Sequence, residues 1–94
     1  MNLSDYLQQQ PRGAQARLAA DIGAHRPDLS DWITGARKVP SHRCSAIESA
    51  SGGLVTAEEL RPDLRWIRIP DASWPVPGGR PLPDTAALPQ VAHA

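Results

Sequence analysis

The sequence has one cysteine and no net charge. Each of these features excludes a class of protein. Its one cysteine, Cys44, has no partner for an internal disulfide and no second Cys/His pair for a zinc site. Basic and acidic residues number ten each, so the chain as a whole is not a polycation. No apolar run is long enough to span a membrane, and the N-terminus lacks the layout of a signal peptide. We expect a cytoplasmic protein without metal, cofactor or membrane partner.

The charges are unevenly distributed along the 94 residues, which suffice for one small domain. Between Arg12 and Arg43 there are six basic residues and three acidic ones, so this segment is locally basic.

No two titratable groups are spaced as a general acid and base, because the paired Glu58 and Glu59 are explained by helix capping. We therefore do not expect an enzyme.

Residues 15–34 predict two short helices joined by a tight turn. The apolar residues follow helical spacing, with Leu18 and Ile22 on the first helix and Leu29, Trp32 and Ile33 on the second. Gly23 lies between them, where a left-handed residue ends a helix at low cost. Both apolar stripes can face one core, which is the shape of a DNA-reading helix-turn-helix.

The opposite face of the second helix is free to meet a ligand. At about 100° per residue this face comprises Pro27, Ser30, Asp31 and Thr34, flanked by Arg26 and Asp28. Arg26 is the best candidate for a bidentate contact to guanine, and Asp31 can accept a hydrogen bond from a cytosine amine. His25 is interpreted as a loop histidine that partly caps the helix, with base contact as the alternative.

Five residues around this unit are candidates for phosphate contact, namely Gln15, Arg17, Arg37, Lys38 and Arg43. Gln15 lies at the amino end of a predicted helix, where backbone N–H groups point outward. Arg37 and Lys38 belong to a basic loop, for which a purely solvated role is the alternative. If about four of the five neutralise phosphates, log K falls with log salt at a slope of about −3.6 per monomer.

Three further helices are predicted around this unit. The first begins at Asn2 or Ser4. The fourth begins with Ser41 as its cap, and three of its residues are expected to face the core, namely Cys44, Ile47 and Ala50. Thr56 and Glu59 form the capping box of a short fifth helix. The predicted fold class is all-α, with a five-helix domain over residues 1–64.

The composition changes in the last 33 residues, which hold seven of the ten prolines. Residues 65–69 alternate and predict a short strand. Its partner is either the same strand of a second copy or the helices, onto which Trp66 folds back. In the first case Trp66, Ile67 and Ile69 form a dimerisation surface. Prolines are expected to forbid regular structure beyond this strand, so residues 70–94 are predicted to be an extended, mobile tail.

The stretch from residue 13 to residue 64 resembles the YdaS-type branch of the Cro/CI-like helix-turn-helix regulators of phages and prophages. The residues that carry the resemblance are Gln15, Leu18-Ala19, Ile22-Gly23, Pro27, Leu29-Ser30, Trp32, Gly35, Val39-Pro40, Arg43-Cys44, Ala46-Ile47-Glu48, Gly52-Gly53, Val55-Thr56, Glu59-Leu60 and Arg61-Pro62-Asp63-Leu64. The family often has a small hydroxyl residue at the position of His25 and a neutral one at that of Asp31. The set of base-reading residues is therefore expected to differ here.

The resemblance implies a five-helix domain that binds a double-stranded DNA operator, often as a homodimer, and represses a phage or prophage-type operon. A second hypothesis is a protein-interaction module that keeps the fold with weak DNA affinity, such as an antitoxin or a phage-encoded binder of a host protein. The two acids near the exposed face, Asp28 and Asp31, the zero net charge and the proline-rich tail motivate this alternative, because a proline-rich segment can dock on a protein partner.

Overall fold

The computed structural model describes residues 1–84, which form five helices followed by a two-stranded sheet. The elements are α1 Leu3–Gln8, α2 Ala14–Ile22, α3 Arg26–Thr34, α4 Ser41–Ala50, α5 Ala57–Leu60, β1 Trp66–Ile69 and β2 Arg80–Pro83. The five predicted helices are all present, but the fold is mostly helical with a small sheet and not all-α. Within the described residues, no helix has both the length and the apolarity to cross a membrane.

The helices meet in one apolar core. The fully buried apolar side chains are Leu29, Ile47, Val55, Cys44 and Ala57. Leu18 and Ile22 are buried beside them, and Trp32 and Ile33 pack on the core from its edge, as the helical spacing predicted. Burial raises the pKa of the Cys44 thiol to about 12, so this cysteine stays protonated and acts as a small apolar side chain.

The corner between α2 and α3 depends on Gly23, which is left-handed with φ 70°. The N–H groups of Gly23 and Ala24 donate to the carbonyls of Ala20 (3.2 Å) and Ala19 (2.9 Å). This is the Schellman pattern, and it satisfies the last carbonyls of the helix while reversing the chain. The reversal brings α3 close to α2 after only residues 23–25, and Ala19 is 3% exposed at this crossing.

The predicted caps are confirmed at two helices and wrong at a third. Asn2 caps α1 by accepting from the N–H of Asp5 at 2.8 Å. Thr56 and Glu59 form the predicted capping box of α5. Ser41, however, is the first residue within α4, whose N-cap position is held by Pro40 without a side-chain hydrogen bond.

The buried face of α4 is more polar than predicted. Ala50 is exposed, whereas Glu48 and Ser51 are buried together with Cys44 and Ile47. These four follow the spacing i, i+3, i+4, i+7, so the helical stripe continues through two polar residues. Ser51 tolerates burial because its hydroxyl donates to the Glu48 carbonyl (3.0 Å) and accepts from the Val55 N–H (3.1 Å).

The strand predicted at 65–69 is present as β1, and it pairs antiparallel with β2 of the same chain. The prediction that prolines forbid regular structure beyond Ile69 is therefore wrong for Arg80–Pro83. Pro81 and Pro83 alternate along β2, so both of their nitrogens point away from β1 and no ladder hydrogen bond is lost. Asp84 follows Pro83 and takes the alternate orientation along the strand, so its N–H faces β1. It donates to the Arg65 carbonyl at 2.7 Å. Residues 85–94 of the predicted tail lie outside the described residues.

The strand pair is attached to α4 by a cluster around the Glu48 carboxylate, which is 0% exposed. Its Oε2 accepts from Arg68 Nη1 (2.5 Å) and Trp74 Nε1 (2.6 Å). Its Oε1 accepts from Arg68 Nη2 (2.8 Å) and the Ala57 N–H (2.9 Å). Burial alone raises the pKa of Glu48, but these hydrogen bonds outweigh it and hold the pKa below its usual range. We call Glu48, Arg68 and Trp74 the Glu48 cluster.

Trp66 folds back onto the helices, which was one of the two interpretations, but the strand pairs with β2, a partner that neither interpretation predicted. Its ring packs against the core, and its Nε1 donates to the Arg61 carbonyl at 3.0 Å. On the other face of the sheet Ile67 lies directly opposite Leu82, and the two are 44% and 38% exposed. The dimerisation surface expected at Trp66, Ile67 and Ile69 stays a prediction.

Candidate nucleic-acid interface

The exposed face of α3 presents a small set of side chains to solvent. Leu29 anchors the helix from its inner side with no exposed surface. Arg26, Pro27 and Ser30 are exposed on the outer side. Arg26 is the first residue of α3, and its guanidinium makes no hydrogen bond or ion pair within residues 1–84. This arginine is free to contact a ligand that approaches the amino end of the helix.

The two ends of α3 carry two further predicted base-reading residues, His25 and Thr34. His25 holds the N-cap position, as interpreted, and is exposed, but its side chain makes no capping hydrogen bond. The Thr34 hydroxyl donates to the Asp31 carbonyl (3.3 Å) and accepts from the Ala36 N–H (3.4 Å). Thr34 thus takes part in the turn that ends the helix.

Asp28 and Asp31 lie beside this face and share one cation. Arg37 Nη1 is 3.3 Å from Asp28 Oδ1 and 3.7 Å from Asp31 Oδ2. The Arg37 side chain is 63% exposed, so the pairs contribute little to the free energy of unfolding. Their effect is electrostatic, because the cation offsets two carboxylates on the surface that would face a polyanion.

Three other phosphate candidates are engaged within the chain. Arg43 is half-buried and donates from Nη1 to the Ile22 carbonyl and from Nη2 to the Gly23 carbonyl (3.3 Å), at the end of α2. Lys38 Nζ lies 3.2 Å from Asp63 Oδ2. Arg17 donates to the carbonyls of Arg12 (3.0 Å) and Pro11 (3.1 Å). Of these, Arg43 is the most firmly engaged, since both donors meet carbonyls that the helix end leaves without partners.

The amino end of α2 adds one residue that sequence reasoning missed. Gln15 lies in the first turn of α2 and is half-buried. Arg12 precedes the N-cap Gly13, is exposed, and makes no side-chain hydrogen bond or ion pair within the described part of the chain. Its place just before a helix start was a usable signal, because the amino ends of helices attract phosphate.

The basic loop 36–40 is held in place by the Arg61-Pro62-Asp63-Leu64 motif. Arg61 donates to Asp63 through Nε and Nη2 (both 2.8 Å) and to the Val39 carbonyl through Nη1 (2.9 Å). The Arg61 guanidinium holds the pKa of Asp63 well below its usual range, so the pair stays charged. The motif therefore fixes the position of the loop that follows α3. Among residues 1–84, no group of three or more His, Cys, Asp or Glu side chains is placed to hold a metal ion.

Comparison with known proteins identifies the family to which this chain belongs. Residues 9–69 match the family described as bacterial toxin YdaS, and this range covers more than half of the chain. The protein belongs to that family, which confirms the resemblance found in residues 13–64.

A relative from Escherichia coli (strain K12), named "Putative transcriptional regulator YdaS", is 46% identical over 54 residues. These residues are 57% of this chain and 55% of the relative, so the chain spans about half the length of that protein. The family match includes α2 to α5 and β1 but ends before β2.

Proposed function

We propose that this protein is a DNA-binding transcriptional regulator of the Cro/CI-like helix-turn-helix type that reads the major groove with α3. The observation that carries the proposal is Arg26, an unpaired and exposed arginine at the amino end of a helix that a three-residue turn holds against α2. In helix-turn-helix proteins the amino-terminal residues of the second helix contact base edges. Pro27 and Ser30 lie on the same exposed face.

The regulated target is proposed to be an operon of phage or prophage type, and the action to be repression. The family description names a toxin, whereas the name of the relative points to transcription. Both names fit a regulator whose absence or excess alters the expression of neighbouring genes that harm the cell. Binding to the DNA upstream of its own gene is the first consequence to test.

Salt dependence provides that test. We expect the full chain to bind a duplex covering the region upstream of its gene more tightly than a scrambled duplex of equal length. Arg43 is the most firmly engaged cation, and Arg37 lies over two carboxylates. We therefore take Arg12, together with Arg17 and Lys38, whose intramolecular contacts are exposed, as the main phosphate contacts. With three such contacts log K should fall with log salt at a slope of about −2.7 per monomer. Fluorescence anisotropy at graded KCl concentrations measures the slope, and a value near zero would overturn the proposal.

A homodimer is proposed as the binding species, because two recognition helices must be spaced by about 34 Å to read successive major grooves. The exposed pair Ile67 and Leu82 on the outer face of the sheet supports a self-complementary apolar contact there.

We expect Ile67→Asp to weaken dimerisation about tenfold or more, because it places a carboxylate in an apolar contact twice per dimer. Sedimentation equilibrium measures the effect. Leu54→Asp is the matched control, since Leu54 is 53% exposed and lies outside the sheet. A wild-type protein that stays monomeric on DNA contradicts the dimer.

The alternative, a protein-binding module on the same fold, rests on the carboxylates near the α3 face. Both lie within reach of Arg37, which lessens the negative charge that a DNA backbone would meet. Specific protein capture together with the absence of salt-dependent DNA binding would favour this alternative.

A further inference from the structure

The turn that ends α3 fixes the position of Arg37. Gly35 takes the left-handed conformation with φ 82°, and the N–H of Arg37 donates to the Asp31 carbonyl at 3.3 Å. The backbone of Arg37 is thereby fixed against the last turn of the helix. Its guanidinium then lies over Asp28 and Asp31, with one nitrogen 3.3 and 3.7 Å from their carboxylates.

The neighbouring cations do not form ion pairs with these two carboxylates within residues 1–84. Lys38, the next residue, pairs with Asp63. Arg26 lies on the opposite side of the same face and has no acidic partner within residues 1–84. Within that part of the chain, Arg37 is thus the cation paired with the carboxylates of α3.

We propose that Arg37 is a positioning residue for base recognition and that it does not contact phosphate. It donates a hydrogen bond to Asp28, and it offsets the charge of Asp31, whose Oδ2 lies 3.7 Å from the same nitrogen. The Asp31 carboxylate accepts no hydrogen bond within the described residues, so it is available to the exocyclic amine of a cytosine in the major groove. This inference rests on the proposed DNA-binding function and deepens it, because it names the base class that the Asp31 carboxylate reads.

Two roles for Arg37 predict different results in a double-mutant cycle. A phosphate contact is lost equally whether or not the helix carries its carboxylates. A counter-charge matters only while the carboxylates are present, since bare carboxylates repel the DNA backbone. The cycle compares Arg37→Ala in the wild type with Arg37→Ala in the Asp28→Asn/Asp31→Asn background, with the full chain and the duplex from upstream of its gene.

We expect Arg37→Ala to weaken binding about tenfold in the wild type and less than about twofold in the neutral background. In the neutral background the salt slope should stay the same, whereas loss of a phosphate contact would reduce its magnitude by about 0.9. Lys38→Ala is the matched control, because its ammonium pairs with Asp63, and its effect should be the same in both backgrounds.

Base discrimination supplies a readout that a change in folding would not mimic. Across duplexes with single base-pair substitutions, Asp31→Asn and Arg37→Ala should lose preference at the same C·G pair. Equal losses of Arg37→Ala in both backgrounds, or a uniform loss over all duplexes, would overturn this inference and leave DNA binding intact. A wild type without salt-dependent binding would overturn the proposed function itself and this inference with it.

Discussion

Glu48→Ala is expected to lower the free energy of unfolding by about 3–5 kcal/mol. The substitution removes a carboxylate with no exposed surface and leaves the Ala57 N–H and Trp74 Nε1 without an acceptor. Arg68, 19% exposed, loses its bidentate partner at the same time. A small domain has only about 5–15 kcal/mol of stability, so the loss is a large part of the total. Urea unfolding monitored by tryptophan fluorescence measures it.

Glu58→Ala is the matched control, because Glu58 pairs with the same guanidinium but is 49% exposed (Arg68 Nη2–Oε1 2.5 Å). It should cost about 0–1 kcal/mol, as exposed ion pairs do. A similar cost for the two substitutions would contradict the assignment of Glu48 as the anchor of the strand pair.

The same carboxylate makes stability depend on pH. The pKa of Glu48 is lowered in the folded protein, so its contribution is present above the unfolded pKa and is lost as pH falls through the folded one. Relative to the wild type, Glu48→Gln should therefore be least stable near pH 7. The difference should shrink as the pH falls below about 4.3, the usual pKa of a glutamate.

The helices were predictable because each depends on residues close in sequence. Apolar residues at helical spacing defined α2 and α3, and Gly23 marked the corner between them. The sheet was not predictable in the same way, since proline counts against a strand unless its position in the ladder is known. Pro81 and Pro83 occupy positions that donate nothing to β1, and this depends on the register of a pairing between distant segments.

Glu48 was missed because a lone glutamate on a helix normally faces water. Its spacing from Cys44 already placed it on the buried stripe, but its partners come from β1 and the following loop, 20 and 26 residues away. The phosphate candidates show the same limit. The sequence identified a basic segment, whereas the structure alone distinguishes Arg26 and Arg12 from cations such as Arg43 that already have intramolecular partners.

Arg26→Ala is expected to weaken binding to the specific duplex by about 1–3 kcal/mol, which is about 5- to 150-fold. The reason is that a guanidinium can donate to both O6 and N7 of guanine, and Arg26 has no competing partner within residues 1–84. Binding to scrambled DNA should fall by only a few-fold, because a single charge is lost there. Anisotropy titrations of both duplexes at one KCl concentration separate the two effects.

Two further variants distinguish base contact from charge. Arg26→Lys keeps the positive charge but loses the planar fork, so it should retain affinity for scrambled DNA and still lose specificity. Arg12→Ala removes another exposed arginine, at the start of α2, and should weaken both duplexes alike. If Arg26→Ala also weakened both duplexes alike, Arg26 would be a phosphate contact, and base reading would have to rest on Ser30 and Asp31.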